Sequence, residues 1–283
     1  MNIFEAIILG ILQGLTEFLP VSSSGHLVLL QKIFDIQEPS LFFDTMLHFG
    51  TLIAVFIVLW KDIWNILKNP VQKLTGFLIL ATIPAVVFAL LFKDKIENLF
   101  VSAQFLGICF LITTALLITA ELLSSKFRPS GSLDGSPREK NNDNLKKAEQ
   151  MSWFDALFIG LMQAIAIPPG ISRSGATISG ALFRKLDRDF AARFSFLLSI
   201  PAILGAVVLH SKDLIKGDTA GDENSISAIA VFAGTLAAAV VGFFAVKFML
   251  KIIREKSLFG FAIYTGILGI SIIIDQLITR IVF

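Results

Sequence analysis

The stretch Gln13-Gly14-Leu15-Thr16-Glu17-Phe18-Leu19-Pro20-Val21-Ser22-Ser23-Ser24-Gly25-His26 decides how this chain folds. It begins inside an apolar helical run, Phe4 to Leu15, and turns polar where a membrane helix would stay apolar. Gln13 and Glu17 are four residues apart, so they share one helix face. Pro20 disfavours continuing that helix. A second apolar run follows, from His26 to Ile33. The pattern is helix, break, helix, with a polar loop at the break and free backbone N–H groups at the start of the second helix. Such a terminus is a ready anion site. A carboxylate, a histidine and three hydroxyls surround it.

The same object recurs at a constant shift of 150. Phe4-Glu5-Ala6 aligns with Phe154-Asp155-Ala156, Gly10 with Gly160, Gln13 with Gln163, Ser22 with Ser172, Ser24 with Ser174 and Gly25 with Gly175. The second copy continues Pro168-Pro169-Gly170-Ile171-Ser172-Arg173-Ser174-Gly175-Ala176-Thr177. Ile167 stands in the place of Glu17, and Arg173 in the place of Ser23. The scaffold is duplicated, while the acid and the base are divided between the copies.

Only 16% of the 283 residues are charged and 55% are hydrophobic. A soluble domain carries roughly 25% charge, so the chain reads as an integral membrane protein. The net charge of +2 points to no nucleic-acid partner. The single cysteine, Cys109, excludes an internal disulfide and a cysteine metal site; in its apolar run it reads as a small membrane-core residue. The first residues carry no basic region and no cleavage pattern, and are expected to be mature structure and not a signal peptide.

Each arm of the first broken hairpin, 4–33, is shorter than the roughly 20 residues a membrane crossing needs. The pair is therefore expected to be re-entrant, entering and leaving on one side, which is tolerated where protein or water covers the broken backbone. Three spans follow, about 43–60, 77–92 and 103–123. Trp60-Lys61-Asp62 and Phe92-Lys93-Asp94 read as interface anchors. Residues 124–150 form a polar linker, expected to be flexible. The second hairpin, 153–183, precedes spans at about 193–210, 228–246 and 259–279. The fold class expected is an all-α polytopic membrane protein, each half one re-entrant helix-loop-helix plus three transmembrane helices. Three crossings is an odd number, so the halves, 1–123 and 151–283, form an inverted-topology repeat, with the site between the broken helices.

Charge orients the chain. Six lysines and arginines fall on the side of both termini and seventeen on the linker side, with Arg173 inside the motif. The positive-inside rule then puts the linker in the cytoplasm and both termini outside. The first hairpin enters from outside and the second from the cytoplasm.

An acid such as Glu17 at membrane depth costs roughly 2.5–3.5 kcal/mol on insertion scales. Its expected role is therefore chemical, weighed against a purely structural pairing with Arg173. The planar guanidinium of Arg173 matches phosphate oxygens and keeps its charge in a low dielectric. His26, beside Glu17 and three serines, is assigned to chemistry ahead of helix packing. His48 and His210 are assigned to packing or interface positions. Ser22, Ser23, Ser24, Ser172, Ser174 and Thr177 can cap helices and bind phosphate together. One acid with Gln13 and hydroxyl oxygens can also hold a hard cation bridging phosphates.

At these residues the chain resembles the undecaprenyl-diphosphate phosphatase family, the bacitracin-resistance phosphatases. Gln13-x-x-x-Glu17 with Pro20-Val-Ser-Ser-Ser-Gly-His26 is similar to its first signature, and Pro169-Gly-Ile-Ser-Arg173-Ser-Gly-Ala-Thr177 to its second. The resemblance covers nearly the whole chain. It implies hydrolysis of the terminal phosphate of a C55 polyprenyl diphosphate in the bacterial plasma membrane, yielding the lipid carrier for cell-wall (peptidoglycan) synthesis. It maps the family's acidic pair to Gln13 and Glu17, its serine and histidine to Ser23 and His26, and its arginine to Arg173. It also implies a divalent cation, Mg²⁺ or Ca²⁺, although Gln13 leaves this chain one carboxylate short for metal. The expected diphosphate-binding set is Ser22, Ser24, Gly25, Gly170, Ser172, Ser174, Gly175 and Thr177.

The nucleophile is left open among Ser23 activated by His26, His26 itself, and water. The expected partners are the polyprenyl diphosphate and membrane lipids, with a homodimer compatible with both. The rival readings are a transporter or lipid flippase, whose folds share inverted repeats with broken helices, and a non-enzymatic lipid-binding receptor. The type 2 phosphatidic-acid phosphatases rank behind, because their further His–Asp element does not occur here in the right order.

Overall fold

The computed structural model describes residues 1–34, 36, 41–125, 145–216 and 226–282. Twelve α-helices run through them: α1 (Ile3–Thr16), α2 (Ser23–Ile33), α3 (Leu41–Val58), α4 (Trp60–Lys68), α5 (Lys73–Leu91), α6 (Lys93–Ser102), α7 (Leu106–Ser125), α8 (Trp153–Ile165), α9 (Arg173–Phe183), α10 (Arg188–Lys216), α11 (Ala228–Glu255) and α12 (Phe259–Ile274). The described residues contain no β-strand beyond one isolated bridge between Lys146 and Leu186.

Both broken hairpins begin on the same device. The Asn2 side chain accepts from the Glu5 N–H at 2.9 Å, and the Glu5 carboxylate accepts from the Asn2 N–H at 2.9 Å. Ser152 and Asp155 repeat the exchange at the start of α8, at 3.2 and 2.9 Å. Each capping box satisfies two backbone donors that the first helical turn leaves free. In the second copy Asp155 is also paired with Lys146 at 2.9 Å and Arg184 at 2.6 Å. Lys146 donates its N–H to Lys185 O at 2.8 Å and accepts from Asp187 N–H at 2.9 Å. The end of the expected flexible linker is therefore docked against α8 and the α9–α10 turn. Residues 126–144 lie outside the described residues.

Among the described residues, five helices are long and apolar enough to cross a membrane: Lys73–Leu91, Leu106–Ser124, Arg188–Val208, Ala228–Glu255 and Phe259–Thr279. The pair Phe42–Val58 and Trp60–Lys68, bent by 80° at Leu59, makes a sixth when it is taken as one span. The apolar run expected to span about 43–60 thus turns a corner. Beyond it α4 carries Trp60 and Trp64, stacked at 5.5 Å, where an anchor was expected. The helix α11 outlasts the apolar run 228–246 by nine residues. Lys247, Lys251 and Arg254 end the hydropathic stretch, yet such straight-chain residues are good helix formers.

Packing alternates between the first and last parts of the chain. The helix α1 lies along α11, and α8 lies along α5; α3 packs on α10 and α11, and α7 on α9 and α12. Small residues permit the closest crossings. A methyl group on Gly10 would fall on the carbonyl oxygen of Gly234 in α11, and one on Gly160 would lie 2.5 Å from Ala81 O in α5. At the far ends of α7, α10 and α11, Arg188 donates to both Glu121 oxygens at 2.8 and 3.3 Å and to Ile253 O at 3.0 Å. Glu121 Oε2 also accepts from the Leu258 N–H, which ties the α11–α12 turn to α7.

Candidate active site

The two broken hairpins meet loop to loop. Gly25 at the start of α2 and Gly170 before α9 touch: a methyl on Gly25 would lie 2.8 Å from Gly170 Cα and 2.7 Å from the Phe110 ring. Gly170 also holds φ at +94°, a conformation that side chains resist. Ser174 Oγ donates to Leu19 O at 2.9 Å, stitching α9 to the first loop.

Glu17 lies at this junction, just past the last turn of α1, and is 6% exposed. Its Oε2 accepts from Ser23 Oγ at 2.6 Å and from Gln13 Nε2 at 2.9 Å. Arg173 Nη2 donates to Oε1. The other Arg173 Nη reaches Ser195 O at 3.4 Å. His48 Nδ1, from α3, lies 3.2 Å from Glu17 Oε2 and 2.8 Å from Gln13 Nε2. Gln13 Oε1 is buried and has no hydrogen-bond partner among the described residues.

A cavity of about 210 Å³ opens over this cluster. Its polar lining is Glu17, Ser22, Ser23, Ser24, His48, Ser172 and Arg173; Phe100, Ile167, Ile171 and Ile203 supply apolar walls. Both short helices start at it. Ser22 Oγ accepts from Gly25 N–H at 3.3 Å, and Ser172 Oγ from Gly175 N–H at 3.0 Å. Two hydroxyl-capped N-termini, one guanidinium and one carboxylate suit an anion that arrives with several oxygens.

The residues expected at the site separate into two groups. Gln13, Glu17, Ser22, Ser23, Ser24, Ser172 and Arg173 are gathered around the cavity or its floor. Ser174 and Thr177 are turned into the scaffold: Thr177 Oγ1 donates to Arg173 O at 2.8 Å and lies 2.6 Å from Ser195 Oγ. His26 also points away. Its Nδ1 lies 2.6 Å from Ser22 O, its Nε2 2.7 Å from Tyr264 OH, and its ring stands edge-on to Phe110. Ser23 therefore meets Glu17, and the imidazole at the carboxylate is that of His48.

His48 was assigned to packing on sequence grounds. The signal lay in Asp44-x-x-x-His48, two polar residues one helical turn apart in an apolar helix. Asp44 accepts from Gln31 Nε2 at 2.9 Å. The side chain of His210 lies outside the described residues.

The Bacitracin resistance protein BacA family model matches residues 6–271. The chain belongs to the BacA family. Among similar BacA-type proteins, "Undecaprenyl-diphosphatase" of Carboxydothermus hydrogenoformans is 47% identical over 98% of both chains. "Undecaprenyl-diphosphatase 4" of Bacillus thuringiensis (strain Al Hakam) is also 47% identical at the same coverage. "Undecaprenyl-diphosphatase" of Halothermothrix orenii is 42% identical over 97% of this chain and 98% of its own. Both BacA-like signatures, and nearly all of the helices between and after them, fall inside the matched region.

Proposed function

We propose that this chain is an integral-membrane phosphatase that hydrolyses undecaprenyl diphosphate to undecaprenyl phosphate and phosphate. That reaction recycles the lipid carrier for peptidoglycan synthesis and underlies bacitracin resistance. Membership of the BacA family and the names of the relatives favour this reading over a transporter or flippase. The observation that carries it is the Ser23 hydroxyl, held 2.6 Å from Glu17 Oε2 in a cavity that Arg173 also lines.

The chemistry follows from these contacts. The incoming diphosphate takes the free N–H groups of α2 and α9 and draws Arg173 from Glu17 onto its oxygens. The released carboxylate is then a better base. It removes the Ser23 proton as Oγ attacks the terminal phosphorus and the bond to the bridging oxygen breaks. Polyprenyl phosphate leaves, and water attacks the phosphoserine, so that phosphate departs and the proton returns to Ser23. Water attack without the covalent step remains the second route, and the same carboxylate serves it. His26 is not among the residues lining the cavity, and both its ring nitrogens are engaged, by Ser22 O and Tyr264 OH, which speaks against His26 as nucleophile.

The buried, unpartnered Gln13 Oε1 fits a hard cation, which accepts one or two carboxylates plus substrate phosphates. Glu17 and Gln13 would hold Mg²⁺ or Ca²⁺ there, and the ion would neutralise charge on the phosphates. Among the described residues no group of three or more His, Cys, Asp or Glu side chains is arranged to hold a metal ion, so the substrate would complete the shell.

The same reading takes the halves as an inverted repeat. Matching capping boxes, the equal extents of α2 and α9 at a shift of 150, and the crosswise α1–α11 and α8–α5 pairings support it. The excess of basic residues on the linker side supports a cytoplasmic linker and external termini. The prenyl chain would lie between spans in lipid, and catalysis needs no second copy, although a homodimer is compatible. Phosphate release from isoprenyl diphosphates by the purified protein in detergent, with and without added divalent cation, tests the activity. A carrier or a receptor would release none, and Glu17→Ala should abolish what the wild type releases.

A further inference from the structure

The two loops that build the cavity are each held by a hydroxyl from a distant helix. Ser22 stands at φ 70°, ψ 93°, positive-φ backbone that a serine adopts only under constraint. Its carbonyl is held by His26. Ser22 O can only accept, so His26 Nδ1 carries the hydrogen at 2.6 Å. The Nε2 of a neutral ring is then an acceptor, and the Tyr264 hydroxyl donates to it at 2.7 Å. The two rings are also stacked, 8° from parallel. Tyr264, the only tyrosine in the chain, thereby fixes the imidazole that fixes the carbonyl before Ser23.

The second loop is held from α7. Thr113 Oγ1 accepts from Ser172 N–H at 2.9 Å and donates to Gly170 O at 3.0 Å. One hydroxyl thus grips both sides of the turn that presents Arg173. The next residues along each helix meet. Thr114 Oγ1 on α7 lies 2.8 Å from Thr265 Oγ1 on α12. The backbones are also close at this crossing, since a methyl on Gly107 would lie 2.9 Å from Gly269 O and one on Gly269 2.9 Å from Gly107 O. Thr113-Thr114 and Tyr264-Thr265 therefore belong to one packed unit.

We infer that Tyr264 and Thr113 are positioning residues for the reaction, and that the α7–α12 crossing couples them. Tyr264 sets the nucleophile side of the site through His26 and Ser22; Thr113 sets the arginine side through Gly170 and Ser172. The crossing keeps Ser23 and Arg173 in register on a diphosphate held between them. The inference rests on the phosphatase reading for its assay.

The test uses the full chain in detergent, with phosphate release from an isoprenyl diphosphate and binding of inorganic pyrophosphate as separate readouts. Tyr264→Phe keeps the stacked ring and loses only the hydroxyl; Thr113→Val keeps the shape and loses both bonds; Thr113→Ser keeps the hydroxyl. Each of the first two should lower kcat by about tenfold, because the groups that meet the diphosphate lose their orientation. Thr113→Ser should return kcat to within about threefold of wild type. The double variant Tyr264→Phe with Thr113→Val should lose distinctly less than the product of the single losses, as residues of one unit do. Wild-type kcat in either single variant, no rescue by Thr113→Ser, or a strictly multiplicative double variant would overturn the inference. If the wild type releases no phosphate, the phosphatase reading fails instead. The positioning claim is then decided by pyrophosphate binding, which Thr113→Val should weaken and Thr113→Ser should restore; unchanged binding in Thr113→Val overturns it.

Discussion

Glu17, at the end of α1, and Arg173, the first residue of α9, are ion-paired although 156 residues separate them in the chain. The pair is the point at which the two broken hairpins become one site. Each residue is the one charged group in its own loop, and each sits where the other copy has an uncharged side chain.

The pairing makes the choice of arginine testable. Arg173→Lys keeps the charge but loses the planar fork. If the fork grips phosphate, the loss of a charge-assisted bond should cost about 1.5–3 kcal/mol, or roughly tenfold to a hundredfold in kcat/KM. Arg173→Ala should lose more. Steady-state phosphate release decides the matter, and a lysine variant within twofold of wild type would return Arg173 to a purely structural role.

Glu17→Gln should abolish turnover and also lower the thermal midpoint. It leaves the Arg173 guanidinium, whose side chain is 17% exposed, without its counter-charge. The expected loss is about 1–3 kcal/mol, smaller than for a sealed pair because Arg173 borders the cavity. Adding Arg173→Gln should recover stability without recovering activity. Thermal unfolding in detergent reads the first effect, and a stable single variant would contradict the pairing.

Gly25→Ala tests the contact between loops. The added methyl would meet Gly170 Cα at 2.8 Å and the Phe110 ring at 2.7 Å. Overpacking of this kind costs about 1–3 kcal/mol. The variant should show a lower thermal midpoint and a fall in kcat, since the loops carrying Ser23 and Arg173 would be pushed apart. Unchanged values for both would mean that the loops are not in contact.

Orientation in the membrane is tested by labelling. A Ser132→Cys variant in a Cys109→Ser background should resist an impermeant thiol reagent in intact cells and react after lysis. Labelling without lysis would place the linker outside and reverse the side assigned to each hairpin.

Several features were legible in the sequence because they depend on neighbours along the chain. The two helix-break-helix units follow from Pro20, Pro168 and Pro169 and the serine runs beside them. The membrane class follows from low charge and long apolar runs. The duplication follows from matched spacing. Segment ends were less legible. Hydropathy stops where charged residues begin, whereas the helix of α11 continues through Lys247 to Glu255. The 80° bend at Leu59 carries no proline or glycine to announce it.

By itself the sequence named the parts of the candidate site: Glu17, Ser23 and Arg173, and the two capped N-termini, all local in origin. Only the tertiary structure decided which parts face one another. It placed His48 beside Glu17 and turned His26 toward Tyr264, 238 residues away. A helix period says which residues share a face, but not which other helix that face meets. That is settled by close packing, here by glycines that let α1 approach α11, α8 approach α5, and α7 approach α12.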